Sequence, residues 1–193
     1  VKEAAAVVSQ YCDMVAIRAF ASLSDKEKDE AEIVLKSFAQ YASVPIINME
    51  SATAHPLQAL ADAITLKEHQ TPHKPKVVLS WAPHPKALPH AVGNSFVNMM
   101  GYMEADFVIA HPEGYALNPE ITKGIECTTD QQKALKDADF VYTKNWCSYE
   151  EYGQILRTDD QWMITPEKMK HTNNGKFMHC LPIRRNIVAS DGV

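Results

Sequence analysis

The chain has 193 residues, of which 46% are hydrophobic and 22% are charged. This composition is typical of a soluble globular protein, and no apolar run approaches the roughly 20 residues that a membrane-spanning helix requires. The formal net charge of −5 provides no basic surface for a phosphate backbone, which argues against nucleic-acid binding and favours a small-molecule partner.

Short apolar, β-branched runs recur along the chain and predict buried strands. In chain order these runs cover residues 13–20, 44–49, 76–81, 105–110, 138–143 and 176–181, with a weaker candidate at 124–128. Helical patterns lie between them at residues 26–42, 55–69, 88–103, 129–137 and 166–170. This alternation predicts an α/β protein with doubly wound parallel sheets.

Domain organisation follows from a helix that leads into the loop "HQTPHKPK". That helix carries Leu57, Leu60, Ala61 and Ile64 on one face. Residues 1–54 supply only two strands and one helix, which is too little sheet for an independent domain. Residues 55–75 form a predicted bridging helix and linker, and residues 76–193 form a second domain with a more complete sheet.

The cysteines and the chain ends bear on cellular context. Cys12, Cys127, Cys147 and Cys180 show neither disulfide-framework nor zinc-clip spacing, which favours a reducing cytoplasm. The N-terminus has no basic-then-apolar signal pattern. Because the sequence starts without methionine and stops directly after a motif-rich stretch, we expect it to be part of a longer chain.

The motif His55-Pro56-Leu57-Gln58 opens the bridging helix. Pro56 suits the first helical position, which puts His55 near the N-cap and Gln58 one turn further on. Both polar side chains then reach one point beside the positive helix end, where an anion or a developing oxyanion is favoured. The alternative is a capped helix with a surface histidine.

The stretch "FMHCLPIRR" at residues 177–185 is the second candidate. On a strand, His179 and Cys180 point to opposite faces, which argues against a nucleophile–base pair. Pro182 ends the strand at its carboxyl end, where doubly wound sheets bind ligands. The carbonyls of Cys180 and Leu181 are then available to a substrate, unless this is only a core strand that ends at a proline.

Charged residues follow several of the predicted strands. Arg18 and Glu50 lie at one edge if their strands are parallel, either as binding groups or as an internal salt bridge. Arg184 and Arg185 are either a solvated surface pair or include one arginine that binds a carboxylate. His84, on a loop stiffened by prolines, and Lys144, at another strand end, are weak signals singly, but all of them converge on one edge.

The sequence contains no GxGxxG, GxxxxGK[ST], HExxH or GxSxG motif, so dinucleotide, P-loop, zincin and serine-hydrolase chemistry lose support. The motifs "IRAF", "HPLQ", "WAPHP", "KNW" and "HCLPIRRN" do occur, in this order. Together they resemble the aspartate/ornithine carbamoyltransferases, and within that family the N-succinylornithine and N-acetylornithine carbamoyltransferases. HPxQ and HCLP are specific when found together, and "WAPHPKALP" indicates the acylornithine branch.

The resemblance implies a carbamoyl-phosphate-binding domain, of which residues 1–54 are the tail, and an acylornithine-binding domain in residues 76–193. It implies carbamoyl transfer from carbamoyl phosphate to the δ-amine of an N-acylornithine in arginine biosynthesis, without cofactor or metal, by a homotrimer with shared active sites. The family's upstream S-x-R-T-R loop and final helix do not occur in this sequence, which puts the activity of the chain by itself in doubt.

The resemblance also assigns roles to residues. Arg18 and His55 would contact the carbamoyl oxygen and phosphate, while Gln58 and the carbonyls of Cys180 and Leu181 would hold the carbamoyl amino group. The acylornithine site would be lined by Glu50, His84, Lys144, Pro182 and Arg184.

In the chemistry that this implies, the neutral δ-amine attacks the carbamoyl carbon and the resulting oxyanion expels phosphate, without a covalent enzyme intermediate. The proton acceptor is either the departing phosphate or Cys180. His84, Lys144 and Arg184 suit the extra carboxylate of an N-succinyl group and so favour succinylornithine over acetylornithine as the substrate. Ornithine carbamoyltransferase, a non-catalytic α/β binding module and, remotely, a cysteine hydrolase are the alternatives.

Overall fold

The computed structural model describes residues 1–69 and 73–193. Its strands are β1 (Val15–Arg18), β2 (Ile46–Glu50), β3 (Lys76–Trp81), β4 (Asp106–Ala110), β5 (Glu126–Thr128), β6 (Phe140–Lys144) and β7 (Lys176–Met178). Its helices are α1 (Lys2–Val8), α2 (Lys26–Ala31), α3 (Ile33–Tyr41), α4 (Pro56–Glu68), α5 (Ala91–Met100), α6 (Pro119–Thr122), α7 (Gln131–Leu135) and α8 (Pro166–Met169). Each predicted strand and helix has a counterpart, and α1 and α6 are additional. None of the described helices is long and apolar enough to cross a membrane.

Strands β1 and β2 form a parallel two-stranded sheet in which Arg18 lies opposite Glu50. The helix predicted at residues 26–42 is divided into α2 and α3, which corrects that prediction. At the division Glu32 adopts φ +47, and its carboxylate accepts hydrogen bonds from the backbone N and the hydroxyl of Thr53 at 3.0 and 2.8 Å. The break therefore places an acceptor on the loop that precedes α4.

The larger sheet has five parallel strands in the order β5-β4-β3-β6-β7. Its central strands are buried on both faces, as their apolar sequences predict. Phe96 of α5 stacks on Tyr142 of β6 with ring centroids 4.2 Å apart, and each such buried side chain contributes about 1.5–3 kcal/mol. The chain leaves β3 towards β4 and leaves β6 towards β7, so the direction of winding reverses between β3 and β6. Doubly wound sheets bind ligands outside the carboxyl ends of the strands at such a reversal.

The last strand is shorter than predicted, which corrects the strand assigned to residues 176–181. β7 ends at Met178, so His179 and Cys180 lie beyond the sheet. In the parallel register, the Thr143 carbonyl is the next acceptor of the ladder. The ring Nδ1 of His179 donates to this carbonyl instead, because a carbonyl can only accept. The strand therefore ends before Pro182, and the Leu181–Pro182 peptide bond is cis.

Helix α4 lies between the two sheets, and its buried face differs from the apolar face read from the sequence. Leu57, Leu60 and Ile64 are 44–50% exposed. The buried residues of α4 are Ala59, Asp62 and Leu66. The helix thus turns a carboxyl group inward.

Helix α2 and the segment before it contact the loop after β6. The Tyr152 hydroxyl donates to Asp29 at 2.9 Å, and the Lys26 ammonium donates to the Tyr149 carbonyl at 3.1 Å. Gly153 has φ +76, and a Cβ at this position would lie 2.0 Å from the Leu23 carbonyl oxygen. Glycine permits this close approach between the segment before α2 and the loop after β6.

Candidate active site

The carboxyl edge of the small sheet carries a charge cluster. Arg18 donates to the same carboxylate oxygen of Glu50 through Nη2 and Nε, at 2.7 and 3.1 Å. The Nε2 atom of His55 lies 3.6 Å from that oxygen. The Arg18 side chain is 53% exposed and that of Glu50 is 11% exposed. The parallel pairing predicted from the sequence is confirmed, and the structure adds His55 to the pair.

His55 is the N-cap of α4 and its protonation follows from its contacts. Its Nδ1 accepts a hydrogen bond from the Gln58 backbone N at 3.4 Å, so the neutral ring carries its proton on Nε2. Its own backbone N donates to the Ser95 hydroxyl at 2.7 Å. Burial lowers the pKa of His55, and the positive charges of Arg18 and Lys144 lower it further, against the opposing effect of Glu50. His55 is therefore a neutral donor near pH 7.

Gln58 lies one turn further along α4, as predicted. Its side-chain Nε2 donates to the Asp62 carboxylate at 2.9 Å. Burial raises the pKa of Asp62 to about 6, although the hydrogen bond from Gln58 lowers it.

The segment after β7 presents backbone atoms rather than a nucleophile. Cys180 is only 8% exposed, and its sulfur is close enough to the Tyr142 hydroxyl to raise the pKa of that phenol, an increase caused mainly by burial. Within the described ranges the carbonyls of Cys180 and Leu181 accept no hydrogen bond. Leu181 is 84% exposed, and Pro182 is exposed too. Neither carbonyl thus has a partner among the described residues, and Leu181 lies at the surface.

A cationic group lies at the carboxyl ends of β3 and β6. The His84 Nδ1 lies 2.8 Å from the Lys86 carbonyl oxygen and 3.1 Å from the Lys86 backbone N. Burial lowers the pKa of His84, and the nearby charges of Arg184 and Lys144 lower it as well. His179 has its pKa lowered by burial and by Lys144. The positive charge of Lys144 therefore lowers the pKa of three histidines, His55 beside the small sheet and His84 and His179 beside the large one.

A cavity of about 410 Å³ lies beside His84 and is lined by Ile155, Asp159, Asp160 and Asn186 among others. Glu50 lies with Arg18 and His55 rather than beside His84, so its assignment to the acylornithine site stays a prediction. Across residues 1–69 and 73–193 no group of three or more His, Cys, Asp or Glu side chains could hold a metal ion.

Three residues of this region were not among the site residues predicted from the sequence. Asp62 was identifiable by its position four residues after Gln58 on the same helix. His179 stood inside the second motif but was assigned to a strand. Ser95, 7% exposed, left no sequence signal because its role depends on the packing of α5 against the loop before α4.

Comparisons with known proteins define the class. The carbamoyl-phosphate-binding domain of aspartate/ornithine carbamoyltransferases matches residues 1–68, and their Asp/Orn-binding domain matches residues 90–193. The chain belongs to the aspartate/ornithine carbamoyltransferase family.

The similar proteins include acylornithine enzymes. The chain is 48% identical to the N-succinylornithine carbamoyltransferase of Bacteroides thetaiotaomicron, covering 99% of the chain and 61% of that protein. It is 38% identical to the N-acetylornithine carbamoyltransferase of Xanthomonas axonopodis pv. citri, covering 100% of the chain and 62% of that protein. A solved structure of N-acetyl-L-ornithine transcarbamylase aligns with a TM-score of 0.90 at 36% identity, covering 98% of this chain and 64% of that one. The chain thus spans less than two thirds of the length of these relatives.

Proposed function

We propose that the protein carrying this chain transfers the carbamoyl group of carbamoyl phosphate to the δ-amine of an N-acylornithine, which yields N-acylcitrulline and phosphate. One observation carries the proposal. Arg18 and the Nε2–H of His55 provide hydrogen-bond donors at the end of the small sheet, and the carbonyls of Cys180 and Leu181, beyond the end of β7, have no partner among the described residues. A carbamoyl group needs this combination, because its oxygen accepts and its amino group donates hydrogen bonds.

The proposed mechanism relies on positioning and electrostatics. Arg18 and His55 donate to the carbamoyl oxygen as it becomes an oxyanion, and each such donor typically contributes about 3–4 kcal/mol. Aligning the amine with the carbamoyl carbon contributes roughly 7–11 kcal/mol more. The C–N bond forms, the bond from carbon to the phosphate oxygen breaks, and the phosphate takes the amine's proton. The buried thiol of Cys180 is the less suitable acceptor.

The acylornithine is proposed to bind along the carboxyl ends of β3 and β6. Lys144 and Arg184 place positive charge near His84, which suits the carboxylates of an N-succinyl amino acid better than an acetyl group. The higher identity to an N-succinylornithine enzyme supports the same choice. A solved mutant of N-acetyl-L-ornithine transcarbamylase, with carbamyl phosphate and N-succinyl-L-norvaline bound, has a TM-score of 0.90 to this chain. The domain boundaries, the homotrimer and the cytoplasmic location stay predictions.

The test is a product assay on the complete protein that carries this chain. Carbamoyl phosphate is supplied with N-succinylornithine, N-acetylornithine or free ornithine, and phosphate and citrulline derivatives are quantified. We expect the largest kcat/KM with N-succinylornithine. Turnover of free ornithine alone would favour ornithine carbamoyltransferase. Binding by calorimetry without phosphate release from any pair would favour a non-catalytic module.

A further inference from the structure

Helix α4 carries a buried acid that the proposed mechanism does not use. Asp62 is 6% exposed, and no salt bridge to it is found within residues 1–69 and 73–193. Its hydrogen-bond partner is the Gln58 side chain, four residues earlier on the same helix face, with Nε2 and Oδ1 2.9 Å apart. A buried carboxyl group without a cation destabilises a fold, and such groups cluster at functional sites.

The pair determines which way the Gln58 amide faces. A carboxylate can only accept hydrogen bonds, so the amide NH₂ must point at Asp62 and the amide oxygen must point away. The reverse orientation would put two acceptors against each other inside the protein. On the inner side, Asp62 is near Tyr142 and, through it, Cys180. The Asp62 Oδ2 has no hydrogen-bond partner within the described residues, so the contact of this acid with Gln58 is the one that aligns a side chain, at the first turn of α4.

We propose that Asp62 is a positioning residue, which holds the Gln58 amide with its oxygen towards the reacting carbamoyl group so that this oxygen accepts a hydrogen bond from the carbamoyl NH₂. The inference rests on the proposed function and adds a basis for specificity. Acetyl phosphate has a methyl group where carbamoyl phosphate has an amino group. A site that presents only acceptors to that position discriminates against the methyl compound, because its buried acceptors stay unpaired.

The experiment compares the affinities of carbamoyl phosphate and acetyl phosphate, measured by calorimetry on the complete protein without amine acceptor. The Kd of acetyl phosphate divided by the Kd of carbamoyl phosphate reports on the amino-group contacts, since both ligands share the phosphate. We expect the Asp62→Ala and Gln58→Ala variants each to lower the ratio roughly 5- to 10-fold. The double variant should show no further loss, because Asp62 acts through Gln58.

Two further variants separate positioning from folding. Asp62→Asn can turn either its oxygen or its nitrogen towards Gln58, so its ratio should fall between wild type and Gln58→Ala. Asp139→Asn is the matched control: Asp139 is also buried, at 5% exposure, but it accepts from the Lys76 backbone N at the opposite edge of the sheet. Its ratio should equal that of wild type even if its stability falls.

An unchanged ratio in Asp62→Asn and Asp62→Ala, or additive losses in the double variant, would overturn the positioning role. If Asp62→Ala does not fold, Asp62→Asn decides alone. The ratio is measured without turnover, so it stands apart from the product assay. A protein that forms no N-acylcitrulline contradicts the proposed function, whereas a productive enzyme with an unchanged ratio contradicts only the role of Asp62.

Discussion

The contact between Gly153 and Leu23 predicts that Gly153→Ala disrupts the junction between the two sheets. An added Cβ would lie 2.0 Å from the Leu23 carbonyl oxygen at φ +76, where ordinary contacts begin near 3.4 Å. The left-handed conformation costs alanine about 1–2 kcal/mol. Relief of the clash requires the two segments to separate, which also breaks the hydrogen bond from Tyr152 to Asp29, worth about 1.5–3 kcal/mol because Asp29 is charged.

Gly124→Ala provides the control for this variant. Gly124 has nearly the same φ, +78, but within residues 1–69 and 73–193 no atom other than its own and those of its chain neighbours lies within 4 Å of the point that a Cβ would occupy. We therefore expect Gly124→Ala to show only the conformational cost, and Gly153→Ala to lose about 2–3 kcal/mol more. Urea denaturation of the complete protein measures both, and the KM for carbamoyl phosphate should rise only in Gly153→Ala. Equal stabilities for the two variants would refute this account of the junction.

Three other predictions concern the site. The folded-state pKa of His55 lies below its ordinary 6.5, so its ring proton signals in NMR should titrate below pH 6.5. The free energy of unfolding should fall as the pH drops from 6.5 towards the folded-state pKa. A titration midpoint above 6.5 contradicts this. Arg184→Ala should raise the KM for N-succinylornithine about tenfold. Arg185→Ala should leave this KM unchanged, because the Arg185 guanidinium pairs with Asp191 at 2.8 Å. Equal effects of the two variants would show that Arg184 is not part of the site. Cys180→Ala should keep kcat within about tenfold of wild type, since the backbone carbonyl remains. Complete loss of activity would instead favour a mechanism with Cys180 as nucleophile.

The sequence predicted the positions of the strands along the chain well because buried parallel strands are read from continuous apolar runs. β3 has the predicted ends, Lys76 and Trp81. The errors arose where a side chain replaced a backbone partner. The continuous helical pattern is divided at Glu32, whose carboxylate accepts hydrogen bonds from Thr53. Strand β7 stops early because the His179 ring donates to the Thr143 carbonyl in place of a backbone N–H. Periodicity carries no information about such long-range hydrogen bonds.

The candidate site was predictable where strand ends alone determine proximity. The pairing of Arg18 with Glu50 followed from two parallel strands, and His55 at the N-cap followed from the proline after it. The burial of Asp62 did not follow, because Leu57, Leu60 and Ile64 gave α4 an apolar face that lies on the exposed side. Which face of a helix is buried depends on its neighbours as well as on its own pattern.

The position of the carbamoyl group tests the central claim most directly. A crystal structure of the complete protein with carbamoyl phosphate and a norvaline analogue, which lacks the attacking amine, would locate it. We predict the carbamoyl oxygen within hydrogen-bond distance of Arg18 and the His55 Nε2, and the amino group on the Gln58 oxygen and the carbonyls of Cys180 and Leu181. A ligand bound elsewhere, such as in the cavity beside Lys74 and Tyr102 at the opposite edge of the large sheet, would contradict the account.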